Sequence, residues 1–237
     1  IIDMPNHLTS MRDWNETQMV AWIKTLRNRA SDLRNDGRIA YISLFKNEGS
    51  DAGATLAHSH TQLIGLPIIP KEEHARYVRN HEHFKSSGKA LLESIIMHEE
   101  DAQTRIVASH GNFTAFCPYA SAYPFEVMIS SKKSIGQIDT LSDEAISYLA
   151  TLLIVTFKKL KRQLGNFHFN LWIATPPLQQ ESVGEDLYTH SNDSCRFAMR
   201  IMPQIYRHGG FEASTGIIIN PVSPELASKL LKESYDV

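Results

Sequence analysis

The sequence predicts an α+β protein made by tandem duplication of one unit. Two observations carry that expectation. An amphipathic helix, a glycine stop, an apolar strand and a loop follow one another through residues 16–57. The same order returns through residues 142–180. The run TSMRDWNETQMVAWIKTLRNRASDL…YISLFKN parallels GQIDTLSDEAISYLATLLIVTFKKL…FNLWIAT in pattern more than in identity. Recurrence of a whole supersecondary unit at long spacing is the mark of internal duplication. The predicted units are residues 1–103 and 104–237.

Each element has a local reason. Met19, Trp22, Ile23, Leu26, Ala30 and Leu33 share one helical face over 16–35. Asn15, with Gln18 three residues later, has the spacing of a capping box, and Asp36-Gly37 stops the helix. Residues 39–45 then read as a buried strand and 58–66 as a second, closed by Pro67 and Pro70. Residues 72–100 read as helical with a break near Ser86-Ser87-Gly88. In the second round, 104–107 and 113–116 form a hairpin around His110-Gly111-Asn112, and 125–130 is a further strand. Ser142-Asp143-Glu144 starts a helix to about Gln163, its acidic residues suited to the positive end of the helix dipole. Strands at 167–174 and 195–202 follow, and Ser223-Pro224-Glu225 opens a terminal helix.

Composition narrows the function. With 237 residues, a formal net charge of -2 and a pI of about 6.6, the chain lacks the basic excess that nucleic acid or an anionic membrane would select. No apolar run approaches the roughly 18–20 residues of a membrane span. Cys117 and Cys195 form no C-x-x-C pair and read as reduced thiols, so a cytoplasmic protein is expected. The chain opens on Ile1 without an initiator Met, from which an upstream segment is expected.

The chemistry concentrates at A-H-S-H-T-Q. His58, His60 and Gln62 occupy alternate positions, and a strand puts such residues on one face. The preceding loop holds Gly49 and Gly53, whose freedom lets a backbone approach phosphate oxygens closely. A neutral imidazole can attack phosphorus if its other nitrogen keeps a proton, usually against a backbone carbonyl. Asn47 and Gln62 can donate amide hydrogens to nonbridging oxygens. H-x-H by itself equally describes a structural pair or two metal ligands. A second H-x-H, His81 and His83, lies in a charged helical stretch and reads as a solvated face. His168, His190 and His208 have no companions in the sequence.

The run F-K-N-E-G-S-D-A-G-A-T-L-A-H-S-H-T-Q at 45–62 resembles the active-site motif of the galactose-1-phosphate uridylyltransferases, in the histidine-triad superfamily. P-N-H-L-T-S at 5–10, C-P-Y-A-S-A-Y-P-F-E-V at 117–127 and G-G-F-E-A-S-T-G-I-I-I-N-P-V-S-P-E at 209–225 extend the resemblance over nearly the whole chain. The last run also resembles the related ADP-glucose phosphorylases. The resemblance implies two histidine-triad-like units, with antiparallel sheets and packed helices, in a homodimer. It implies transfer of UMP or AMP from a nucleotide sugar to a sugar phosphate, or to inorganic phosphate, through His60. Gln62 would hold a phosphate oxygen, while Asn47, Gly53, Ala54 and Thr55 would line the phosphate site. Phe211 and Glu212 match a sugar-contacting segment. His7 and His58 match two ligands of a structural zinc whose other two would lie upstream of residue 1. In the second half, Arg196, Phe197, Ala198 and Ala174 stand where relatives carry histidines, so no second metal and a degenerate second site are expected. Two further readings stay open: a nucleotide-sugar binding protein without catalysis, and a metal-binding module using His58 and His60 together.

Overall fold

A computed structural model describes residues 1–7, 10–178, 191–207 and 209–233. His190, His208 and the end of the T-P-P-L-Q-Q loop fall outside these residues. The first helix, α1 (Glu16–Arg34), starts at the expected capping box: the Asn15 side chain accepts from the Gln18 amide at 3.0 Å and Gln18 accepts from the Asn15 amide at 2.9 Å. Strands β1 (Tyr41–Glu48) and β2 (Gln62–Leu66) follow, then α2 (Lys71–Ser87) and α3 (Leu91–Ala102), split at Gly88. β3 (Ile106–His110), β4 (Phe113–Phe116) and β5 (Val127–Ser131) lead into α4 (Asp143–Leu164), which Ser142 caps through the Ala145 amide. β6 (Phe169–Ile173), the short α5 (Ser191–Ser194), β7 (Ala198–Pro203), α6 (Gly210–Thr215) and α7 (Pro224–Glu233) complete the chain.

Among the described residues the strands form one seven-stranded sheet in the order β2-β1-β6-β7-β5-β4-β3, and every neighbouring pair is antiparallel. The two rounds therefore join side by side within one sheet, at the β1–β6 pair, rather than forming separate sheets. β1 pairs β6, β2 flanks β1, and β7 flanks β6, so the helix-strand-strand sets α1-β1-β2 and α4-β6-β7 stand side by side in mirrored order. The sequence boundary near residue 103 falls between α3 and β3, beneath a core that both rounds share.

The period-two pattern decides which face is which. Ile42, Leu44, Phe169, Leu171, Ile173, Met199, Ile201, Val127 and Ile129 all turn to one side and are buried against α1 and α4. From α4 come Leu149, Leu153, Phe157 and Leu160; from α1 come Met19, Trp22, Ile23 and Leu26. Each such side chain contributes about 1.5–3 kcal/mol by leaving water. At the exposed edge of this layer Lys24 and Arg27 of α1 both reach Asp143 of α4 at 2.8 Å. The opposite face of the sheet is partly covered by α2 and α3, and it carries the chemistry.

Candidate active site

The histidine segment departs from expectation at its start. β2 begins at Gln62, and residues 58–61 precede it, with a bend at His58 and an isolated bridge at His60. That stretch pairs on its outer side with residues 1–3: Ile2 bridges His60, the Asp3 amide donates to the Ser59 carbonyl at 3.1 Å, and the Thr61 amide donates to the Ile1 carbonyl at 2.9 Å. Alternation nevertheless holds. Ser59 and Thr61 turn inward and are buried, while His58, His60 and Gln62 turn outward.

The inward residues explain why this segment is held so firmly. Lys46 Nζ, fully buried, donates to Asp3 Oδ2 at 2.9 Å, to Ser59 Oγ at 2.8 Å and to the His60 carbonyl at 3.2 Å. Thr61 Oγ1 donates to Asp3 Oδ1 and accepts from the Trp22 indole at 2.9 Å. A buried charge pair survives only when hydrogen bonds satisfy its remaining valences, and this one has them.

On the outer face the two histidines have distinct partners. His60 Nδ1 lies 2.9 Å from the carbonyl of His58. A carbonyl only accepts, so Nδ1 carries the proton and Nε2 keeps its lone pair. His58 Nε2 lies 2.6 Å from the Met4 carbonyl, which by the same argument leaves the lone pair on Nδ1. That Nδ1 faces His7 Nδ1 at 2.9 Å. At 2.9 Å the two Nδ1 atoms are hydrogen-bonded, with His7 donating, and the same two nitrogens could each ligate a metal ion once that shared proton is lost. The pair fits two corners of a tetrahedral zinc site. Among the described residues no set of three or more His, Cys, Asp or Glu completes it.

Register places the other candidates. Gln62 opposes Phe45, and continuing that register by two residues puts His60 opposite Asn47. Asn47 opposes Asn170 of β6, whose amide donates to Asn47 Oδ1 at 2.7 Å and to the Ala52 carbonyl at 2.8 Å. Directly opposed residues share a face, so Asn47 and Asn170 form a row across β1 and β6, and the extended register sets His60, just before β2, on the same side. Asn170 thus fixes both the Asn47 side chain and the glycine loop. In that loop Gly49 has φ +89° and ψ 159°, and Gly53 is left-handed at φ +77°; a turn of 3-10 helix, Ser50–Ala52, lies between them. A cavity of about 480 Å³ at this end of the sheet is lined by Asn47, Ala54, Thr55 and His58 among the expected residues, and also by Arg12 and His168. Gly53, His60 and Gln62 do not line it, nor do Phe211 and Glu212. The last two belong to α6, where Phe211 is exposed and the buried Glu212 accepts from the Gly209 amide at 2.9 Å.

His168 and Asn170 were not legible as site residues. They share the alternating pattern of H-F-N-L-W, but their companions lie more than a hundred residues away. The His168 ring packs directly on Gly49 and its Nδ1 is 2.9 Å from Asp51 Oδ2. Arg207 reaches Asp51 Oδ1 at 2.7 Å. The Arg207 guanidinium, and then His168, hold the Asp51 carboxyl below the usual carboxylate range. The second H-x-H also differs from expectation. His81 is buried within α2 rather than solvated, and His83 Nε2 meets Ser94 Oγ at 2.9 Å. Both cysteines are free thiols, and burial pushes that of Cys117 up to about 12. No helix among the described residues is long and apolar enough to cross a membrane.

Comparison with known proteins identifies the fold and the family. Residues 71–207 match the family described as galactose-1-phosphate uridyl transferase, C-terminal domain. The chain is 30% identical to an ADP-glucose phosphorylase of Arabidopsis thaliana over 98% of its own length and 63% of that protein's. It is 24% identical to a galactose-1-phosphate uridylyltransferase of Thermotoga maritima, over 99% of its length and 73% of the relative's. The solved structure of an Arabidopsis ADP-glucose phosphorylase with bound ADP-glucose superposes with a TM-score of 0.86 at 29% identity, covering 98% of this chain and 71% of that one. A uridylyltransferase structure, 23% identical, shares the fold at a TM-score of 0.86 over 98% of this chain and 73% of its own. The chain spans just under two thirds of the Arabidopsis relative's length. With more than half of its residues matched by the family model, and that site built on the matching fold, the chain belongs to the galactose-1-phosphate uridylyltransferase family.

Proposed function

We propose that the chain carries the reactive centre of a nucleotidyltransferase that moves UMP or AMP between a nucleotide sugar and a sugar phosphate or inorganic phosphate. The carrying observation is the His60 Nδ1 bond to the His58 carbonyl, which leaves Nε2 as the nucleophilic atom. Nε2 attacks the α-phosphorus; a nitrogen–phosphorus bond forms and the bond to the leaving hexose 1-phosphate oxygen breaks, that oxygen keeping the electron pair. In the second half-reaction an oxygen of the acceptor phosphate attacks the same phosphorus and His60 leaves. Splitting the transfer in two replaces one difficult displacement by two easier ones. Gln62, Asn47 and the amides of the loop through Gly53, Ala54 and Thr55 would stabilise the nonbridging oxygens as charge shifts in the transition state. Phe211 and Glu212 would contact the sugar. His7 and His58 would hold a structural zinc with two ligands from outside these residues, clamping the segment before His60. A homodimer is expected from the family and is measured by analytical ultracentrifugation.

The 30% identity to the Arabidopsis protein favours a second reading, an ADP-sugar phosphorylase that delivers AMP to inorganic phosphate. Intact mass after incubation with UDP-glucose or ADP-glucose separates the two, since a UMP-sized adduct marks uridylyl transfer and an AMP-sized adduct adenylyl transfer. His60→Ala is expected to abolish the adduct. An adduct that survives the substitution refutes the nucleophile, and tight binding without any adduct supports a catalytically silent binding protein.

A further inference from the structure

We infer that the second copy of the site is a non-catalytic binding site for a small organic anion with an apolar body. The sheet order sets up the comparison. Gln62 opposes Phe45 across β2 and β1, and Arg200 opposes Trp172 across β7 and β6. Stepping back along each strand sets Ala198 at the place of His60, Arg196 at that of His58, and Ala174 at that of Asn47. The Ala174 amide donates to the Ala198 carbonyl at 2.9 Å, which fixes the match.

These replacements have a shape. Two alanines stand where the first copy has a nucleophile and an amide, and over them opens a cavity of about 790 Å³, roofed by α2 and α3. Its size falls in the usual range for small-ligand pockets. Phe116, Met128, Leu92 and Ile95 supply apolar wall. Guanidinium groups supply the charge: Arg76, Arg79, Arg105, Arg196 and Arg200 line it, with Glu99 as the one carboxylate among the described residues.

The arginines are positioned from behind. Arg196 is held by Glu93 at 2.5 Å and Arg200 by Glu126 at 3.1 Å, and Arg76 pairs with Glu73; none of these carboxylates lines the cavity. Glu99 is engaged by Arg105 at 2.8 Å. The Arg76 guanidinium also sits 4.6 Å from the centre of the Trp172 ring. What is left over points to a ligand. The Arg196 side chain is 9% exposed, and its Nε, like that of Arg200, is a buried donor without an acceptor. Buried donors are normally satisfied, and an anion seated in the cavity would offer them acceptors. The copy keeps the alternating outward positions of the H-x-H-x-Q segment but has Ala198 at the place of His60, so it binds without transferring.

The test is binding, and so stands or falls separately from the His60 chemistry. The apolar anion 8-anilinonaphthalene-1-sulfonate and its uncharged counterpart N-phenyl-1-naphthylamine are titrated against the full chain. Saturable binding of the sulfonate at one site per chain is expected, with the uncharged dye at least tenfold weaker. Ala198→Leu, which fills the floor, is expected to weaken the sulfonate at least tenfold without lowering the unfolding temperature. Arg200→Met is expected to weaken the sulfonate and spare the uncharged dye. Equal affinity for the two dyes, no saturable binding, or unchanged binding in Ala198→Leu overturns the proposal. If Arg200→Met does not fold, Ala198→Leu decides.

Discussion

At the scale of single residues, the two histidines of one H-x-H have divided roles because their backbones give them different carbonyls. His60 turns its Nδ1 to the chain two residues back, and His58 turns its Nε2 to Met4. The tautomers, and hence which nitrogen is available, follow from those two oxygens. Gly49 is the other residue whose identity is dictated. Its φ and ψ lie in a region open essentially to glycine alone, and a Cβ there would stand 2.0 Å from the His168 ring. Gly49→Ala is therefore expected to destabilise the protein by more than the roughly 1–3 kcal/mol of backbone strain. Adding His168→Ala should remove the ring clash but leave that strain, so the double variant recovers part of the loss in urea unfolding. Full recovery would show that sterics alone matter there.

At the scale of elements, the segment before β2 depends on groups beneath it more than on its own strand pairing. Lys46, Asp3, Ser59, Thr61 and Trp22 tie β1, residues 1–3, residues 59–61 and α1 into one buried network. Lys46→Met leaves the Asp3 carboxylate buried without its cation, a change that typically costs about 3–5 kcal/mol. Chemical denaturation measures it, and a loss below about 1 kcal/mol would mean that water or the two hydroxyls suffice. The motif C-P-Y-A-S-A-Y-P-F-E-V has a similar supporting task. The buried Glu126 accepts from the Ala122 amide at 2.8 Å and the Tyr123 amide at 3.3 Å, and it pairs with Arg200. Much of what made that motif specific as a sequence is thus loop architecture rather than contact with a reacting atom.

At the scale of the whole molecule, the two rounds form one body. β1 and β6 are neighbours within the sheet, and α1 and α4 share its apolar face. Neither round could bury that face by itself. Unfolding is accordingly expected to be a single transition, with tryptophan fluorescence and far-ultraviolet circular dichroism giving the same midpoint. Trp14 and Trp22 lie in the first round and Trp172 in the second, so independent units would separate the curves. The same arrangement gives the two copies different surroundings on one face of one sheet, a glycine loop after β1 and an arginine-lined cavity above Ala198.

The sequence by itself determined the elements and the duplicated order, because amphipathic period, capping residues and glycine stops act within a few positions of one another. It also determined the H-x-H-x-Q alternation, since a period of two survives whether or not the segment is formally a strand. The joining of both rounds into one sheet was decided only by the tertiary structure, as were the service of Asn170 and His168 to a loop at residues 47–53 and the burial of His81. Each depends on strands or helices far apart in sequence becoming neighbours, and local periodicity carries no record of which surface an element will meet. The tautomer of His60 belongs there too: hydrogen-bond geometry, rather than residue type, selects the nitrogen that keeps its lone pair.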